Sequence, residues 1–292
     1  MPDPLVENAP AKVNLTLRVL GRRADGYHEI ESLVAFADFG DRLSFTPGRA
    51  LTLAVRGPSA AQAGATGENL VLKATRALAE RIPGIVPGAF DLEKHLPVAA
   101  GIGGGSADAA AALRLLVRAN GIASDDPRLA AAAAATGADV PICLHSRTRL
   151  MRGIGEILSP ALELPPLHAV LVNPGVALAT KDVFAGWRPA AEPGPPLDLA
   201  VIASADHARL LQTLTQQPND LEAPAIKLAP AIAGVLAALR ALPGCRLARM
   251  SGSGSTCFGL FDLATTAQGA AETLGHKYPQ WWMRAGVLGA AI

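Results

Sequence analysis

The sequence predicts a two-domain protein of mixed α/β class (α+β), and three observations carry that reading. At 292 residues the chain is long for one domain and comfortable for two. Half of the residues are hydrophobic and 17% are charged, so the chain can bury a sizeable core. Stretches with the strand period of two alternate with alanine-rich stretches of helical period. The proline-rich segment 159–166 reads as the boundary, giving expected domains of 1–160 and 161–292.

Composition narrows the function. A net charge of +1 argues against a nucleic-acid or anionic-membrane partner. No uncharged apolar run can span a bilayer, since the longest, around 164–180, is broken by Pro165, Pro166 and Pro174. The first residues lack the basic and apolar regions of a signal peptide, so a cytoplasmic location is expected. Cys143, Cys245 and Cys257 are odd in number and far apart, which indicates neither a disulfide framework nor a zinc site.

Residues 11–19 alternate, with Val13, Leu15, Leu17 and Val19 on one face of a strand and Lys12, Asn14, Thr16 and Arg18 on the other. That polar face reads as either solvated or functional. Asp25-Gly26 is a turn dipeptide, so Tyr27 and His28 sit where a hairpin returns. Such a pair can hold a flat heterocycle by stacking and hydrogen bonding, or simply pack at a strand start. Residues 29–36 continue as strand, 38–41 read as a turn, and 43–55 read as further antiparallel strand. Residues 57–67 form a loop of small residues. Asn69 caps a helix in which Leu70, Ala74, Ala77 and Leu78 share a face. Residues 90–94 are a short strand leading into a glycine loop.

That loop runs P-V-A-A-G-I-G-G-G-S-A-D-A-A from Pro97. Its glycines permit positive φ and close approach by a ligand. Ser106 is expected as the N-cap of the following alanine-rich helix, and Gly121 as its stop. A helix N-terminus behind a glycine loop offers N–H groups and a positive dipole end to a phosphate. A tight turn before an ordinary helix is the plainer alternative. The five small residues from Gly103 to Ala107 exceed what such a turn needs. The P-loop is excluded because no lysine follows Gly105, and G-x-G-x-x-G is excluded because Ser106 occupies its last position.

A second alanine-rich helix spans 127–136 and stops at Gly137. Asp139, in G-A-D-V-P, is either a turn or cap residue or an acid–base group. Strands are expected at 148–151 and 169–172, a turn at Asn173-Pro174-Gly175, and a helix from about 179. A loop follows at 189–196, then an amphipathic helix over 232–242. The string S-G-S-G-S-T at 251–256 offers hydroxyls and little bulk, so its backbone can approach the first glycine loop. Trp281 and Trp282 read as packing residues.

The loop from Pro97 closely resembles the phosphate loop of the GHMP small-molecule kinases, P-x-x-x-G-[LI]-G-G-G-S-[SA]-[DN]-A-A. G-A-D-V-P at 137–141 and S-G-S-G-S-T at 251–256 resemble two further motifs of that family, in order. A-K-V-N-L at 11–15 and R-A-D-G-Y-H at 23–28 resemble the N-terminal signature of one of its branches. The resemblance implies a first domain like ribosomal protein S5 domain 2 and a ferredoxin-like second domain, with the site between them. It implies ATP-dependent phosphorylation of a hydroxyl on a cytidylyl-linked polyol, on the non-mevalonate route to isoprenoid precursors. Asp139 is the implied base and Lys12 its electrostatic partner. The implied ATP-binding residues are Asn69, Leu70, Lys94, Pro97, Gly101, Ile102, Gly103, Gly104, Gly105, Ser106, Ala107, Asp108 and Thr180. The implied substrate-binding residues are Asn14, Tyr27, His28, Phe184, Ser251, Gly252, Ser253 and Gly254. Mg²⁺ would be bound through nucleotide phosphates rather than a protein metal site. The implied partners are small molecules alone, with the chain a monomer or weak homodimer. Two departures are Ala107, where the family often has serine, and Val34, where an aromatic can flank the substrate.

Overall fold

The computed structural model describes residues 4–63, 66–189 and 195–289. The chain opens with β1 (Leu5–Asn14), β2 (Arg18–Arg22), the long β3 (His28–Thr46) and β4 (Thr52–Arg56). Next come α1 (Leu70–Arg81), β5 (Ala89–Glu93), α2 (Gly104–Ala119), α3 (Pro127–Thr136) and α4 (Val140–His145). Strands β6 (Arg149–Gly153), β7 (Ile157–Leu158) and β8 (Leu167–Asn173) lead to α5 (Thr180–Gly186), α6 (Leu199–Ala203) and α7 (His207–Thr215). Helices α8 (Glu222–Leu228) and α9 (Ala231–Arg240) precede β9 (Cys245–Met250), β10 (Cys257–Phe261), α10 (Ala264–Lys277) and β11 (Trp282–Leu288). Most of the loop expected at 189–196, and residues 64 and 65 of the loop expected at 57–67, lie outside the described residues.

The chain forms two compact units. The first holds Met1–Ala11, Phe39–Val98 and Gly103–Ser146; the second holds Lys12–Asp38, Ala99–Ile102 and Arg147–Ile292. The division is therefore not a single cut in the sequence.

In the first unit, β5 lies antiparallel to the end of β3 and parallel to β4. A parallel pair needs a crossover, and α1 supplies it. The expectation of antiparallel strand over 43–55 is thus corrected: β3 ends at Thr46, and β4 pairs in parallel with β5. The turn expected at 38–41 is also absent, because β3 runs straight through it. Gly40 serves close strand approach instead, since a Cβ there would lie 2.0 Å from the Ala9 carbonyl oxygen. Helix α1 packs on α2 and α3, and α4 packs on α2. Ala107, Ala109, Ala110, Ala111 and Ala112 of α2 are buried, and their small size lets neighbouring helices come close.

In the second unit, β8 carries the core: it pairs antiparallel with β11 on one side and β10 on the other, and β9 completes the sheet. Taken in chain order, β8, β9, β10 and β11 lie in the order 4-1-3-2, with α9 and α10 packed against them. This split β-α-β pattern is the expected ferredoxin-like arrangement. The start of β3 pairs with β2 through the Asp25-Gly26 turn, and with β6 on its other edge.

The strand expected over 11–19 is interrupted between Asn14 and Arg18, and its polar face is not solvated. Lys12, Asn14, Thr16 and Arg18 are all at most 7% exposed. Residues of β3 satisfy three of them: Ser32 accepts from Asn14 Nδ2 (2.7 Å), Leu33 N donates to Thr16 Oγ1 (3.0 Å), and Glu31 accepts from Arg18 (2.8 Å).

Candidate active site

The first unit builds a helix N-terminus suited to an anion. Helix α2 begins at Gly104, and its N-cap is Gly103 at φ +62°, not Ser106 as expected. The left-handed Gly103 ends the loop, its carbonyl accepts from Ala107 N (2.8 Å), and Ser106 falls inside the first turn. A glycine cap has no side chain to occupy the first N–H groups, so they stay suited to phosphate oxygens. At the other end Asn120 is the C-cap, Gly121 takes φ +63°, and Ile122 N reaches back to Val117 O (2.9 Å). That is a Schellman stop, as Gly121 suggests.

Beneath this helix start lies a charged cluster. The Lys94 ammonium donates to Asp41 and to Asp108 (2.7 Å), and all three side chains are at most 4% exposed. Asp41 also accepts from the backbone N–H groups of His95 (2.5 Å) and Leu96 (2.8 Å), which pins the segment just before the glycine loop. The Lys94 side chain thus engages two carboxylates. Asp108 points into this cluster, which answers how a carboxylate can sit in the phosphate helix. Its second oxygen is buried and has no hydrogen-bond partner.

Burial pushes the Asp108 carboxyl up to about 7; Lys94 pulls against this and Asp41 adds to it. The folded protein therefore keeps this proton over a pH range in which the unfolded chain has lost it. The stability it contributes is complete below the unfolded value and declines as pH rises from about 4 to about 7. Melting curves of wild type and Asp108→Asn should therefore shift relative to one another, the wild type losing ground as pH rises from about 4 to about 7. A gap that stays constant across that range would rule this out.

Asn69 caps α1 by accepting from Val71 N (2.9 Å), with Leu70 as the first helical residue. Pro97 is buried. Half-buried Asp139 stands at the N-cap of α4, yet its carboxylate makes no capping hydrogen bond. Arg114 of α2 locks α4 in place by donating to the carbonyls of Cys143 (3.0 Å) and Leu144 (3.3 Å), and also to Glu7 (3.1 Å).

In the second unit the two glycine-rich strings meet. Thr256 N donates to Ala100 O (3.0 Å), and the Ser251 hydroxyl donates to Gly101 O (3.0 Å) and accepts from Asn14 N (3.0 Å). A Cβ on Gly101 would lie 2.6 Å from Ser251 O and 2.7 Å from Gly254 O, and Gly101 takes φ +76°. Only glycine fits both demands. Lys12 is buried and its N–H donates to Ile102 O (2.9 Å). Asn219 fastens the second string from behind, through Met250 O (2.7 Å) and Gly252 O (2.9 Å). Asn14 Oδ1 is buried without a hydrogen-bond partner.

The same unit assembles rings. His28 stacks on Phe184 with centroids 4.9 Å apart, and Trp187 meets His28 edge-on at 5.7 Å. Tyr27 is 60% exposed, so its ring is not core packing. Burial and nearby Arg22 hold the His28 imidazole below its usual value, favouring the neutral ring. Thr180 and Ser253 share a hydroxyl contact of 3.0 Å. Nearby on β3, burial pushes the Glu31 carboxyl up, but Leu197 N, Arg152 and Arg18 outweigh that and hold it below the ordinary range. Val34 is fully buried within β3, opposite Arg149 of β6.

Sequence reading missed Asp41, taken as part of a turn, and Arg114, Glu31 and Trp187. A charge inside an otherwise apolar run, as at Arg114 and Glu31, was the available signal.

The family models for the GHMP kinases N terminal domain and the GHMP kinases C terminal match residues 69–147 and 199–280. The chain is 56% identical to the 4-diphosphocytidyl-2-C-methyl-D-erythritol kinase of Rhodopseudomonas palustris (strain BisB5), over 97% of this chain and 99% of that one. It is 56% identical to the kinase of the same name from Nitrobacter winogradskyi, over 98% and 94%. A crystal structure of 4-(cytidine 5'-diphospho)-2C-methyl-D-erythritol kinase superposes with a TM-score of 0.79 at 37% identity, covering 98% of this chain and all 100% of that one. A homoserine kinase from Cytophaga hutchinsonii shares the fold, at TM-score 0.70 and 18% identity over 99% and 96%.

Proposed function

The chain belongs to the GHMP kinase family, and from that membership we propose that it transfers a phosphoryl group from ATP to the 2-hydroxyl of 4-diphosphocytidyl-2-C-methyl-D-erythritol. The observation that carries this is 56% identity, over 97% of the chain, to a kinase named for that substrate. In this reading the N-terminal kinase domain is 1–160 and the C-terminal one 161–292, with the matched stretches 69–147 and 199–280 on either side, although the second compact unit also takes in Lys12–Asp38 and Ala99–Ile102.

The division of labour follows from the chemistry of the groups. The glycine loop and the first turn of α2 hold the ATP phosphates, with Asn69, Leu70, Pro97, Thr180 and the backbone at Lys94 toward the nucleoside. Asp139 accepts the proton of the attacking hydroxyl. Lys12 stabilises Asp139 as an anion and the charge that develops on the transferred group. The unpartnered Asn14 Oδ1 accepts from a substrate hydroxyl. The hydroxyls and backbone of Ser251, Gly252, Ser253 and Gly254 line the remainder. Magnesium supplies charge neutralisation to the phosphates when bound. The ion would be carried on the nucleotide phosphates, beside the Ser106 hydroxyl. Most of the acceleration comes from positioning and electrostatics.

Tyr27, His28 and Phe184 hold the cytosine; the His28–Phe184 stack beside the exposed Tyr27 ring supports a flat base over mevalonate or homoserine. No helix among the described residues is long and apolar enough to cross a membrane. The reading places the enzyme in the cytoplasm, as a monomer or weak homodimer acting on small molecules.

Inhibition kinetics test the cytosine pocket. CMP should compete with the cytidylyl substrate and not with ATP. Tyr27→Ala should weaken that substrate by one to two powers of ten, since stacking on an aromatic is worth about 1–3 kcal/mol per base. Competition by CMP against ATP alone, or none at all, would make the chain a kinase for a different substrate.

A further inference from the structure

A cavity of about 530 Å³ opens in the second unit, and of its lining residues Asn219 alone reaches the kinase site, through the string that it fastens. Its wall carries Arg240, Arg246 and Arg249 against a single carboxylate, Glu222, with Gln217 and Cys245 beside them.

Arg249 is the unusual member, at 6% exposure. Its guanidinium donates to the carbonyls of Leu15 (2.8 Å) and Leu214 (2.8 Å), both of them neutral acceptors. Burial pulls its ordinarily very high value down to about 10; Glu222 opposes this and Arg240 adds to it. A buried cation without a charged partner is costly, and an anion would relieve that cost.

Glu222 does not supply the relief. One of its oxygens accepts from Met250 N (3.0 Å), and the other faces Arg240 at 3.6 Å. Arg246 reaches Asp262, which does not line the cavity, only at 3.7 Å. The arginines therefore outnumber the carboxylate three to one around the open space. Gln217, at 5% exposure, donates its amide nitrogen to Pro195 O (3.3 Å), while its Oε1 is buried without a partner and suits a hydroxyl donor on the ligand's polar body, not its anionic oxygens.

We propose that this cavity binds a small phosphate-bearing anion, seated on the guanidinium groups of Arg240, Arg246 and Arg249. Planar guanidinium forks match phosphate oxygens two at a time, which lysines could not do. The volume admits a phosphate ester or pyrophosphate with room for a short polar body.

Cys245 makes the test local. It lines the cavity and is partly accessible, whereas Cys143 and Cys257 are buried. The full chain, its nucleotide site saturated with a non-hydrolysable ATP analogue, is treated with iodoacetamide, and alkylation of Cys245 is followed by mass spectrometry. Inorganic pyrophosphate and glycerol 3-phosphate are added in separate arms, to separate a free anion from an ester. Either should slow Cys245 alkylation in a saturable manner. Arg240 and Arg246 are more than half exposed, so Arg240→Gln with Arg246→Gln should fold normally and leave turnover unchanged. That pair should weaken the protection about tenfold or more, the loss of roughly 1.4 kcal/mol or above. Protection absent in both arms overturns the proposal. So does protection that persists undiminished in the double variant, or that appears only when the nucleotide site is left empty.

Discussion

Asp139→Asn lowers turnover by about 10²-fold or more, the scale of losing a positioned general base. The amide preserves the size of the side chain but cannot take the hydroxyl proton. The carboxylate makes no capping bond to α4, so the change does not uncap a helix. ATP affinity should stay close to wild type, and the deficit should fall on the chemical step. Single-turnover kinetics beside calorimetric titration with ATP separate the two. An Asn variant that turns over near the wild-type rate would remove Asp139 from the base role.

Lys94→Met should cause the largest loss of stability, about 3–5 kcal/mol, the usual result of removing one partner of a buried ion pair. Asp41 and Asp108 would be left as two acidic groups without their cation, both essentially inaccessible to water. Asp41 also holds the N–H groups of His95 and Leu96, so strain there reaches the start of the glycine loop. Neutralising one acid should restore part of the loss, making Lys94→Met with Asp108→Asn more stable than Lys94→Met alone. Chemical denaturation of the four proteins closes the cycle. Equal stability of the single and double variants would show that Asp108 is not coupled to Lys94.

The glycine loop, the helix behind it and the alanine-rich helix over 127–136 were legible because their signals are local. Glycine tolerance of positive φ, capping chemistry and the 3.6-residue period all act within a few positions. The motif strings around Lys12, Asp139 and Ser251 were legible for a related reason: residue types at fixed spacing carry family identity whatever surrounds them. The sequence by itself determined the kinase family, the ferredoxin-like strand order of the second unit and the residue types offered to a nucleotide.

Tertiary structure decided what those side chains touch. Asp41 resembles a turn residue until Lys94, far along the chain, arrives with its ammonium. The polar face from Lys12 to Arg18 resembles a solvated strand until β3 lays Glu31, Ser32 and Leu33 against it. Ser106 resembles an N-cap until Gly103 takes a left-handed φ and starts the helix earlier. Burial turns each of these from a local preference into a long-range pairing. A buried polar group must find a partner, and its partner is chosen by which strands and helices pack together, something that local period and propensity do not encode.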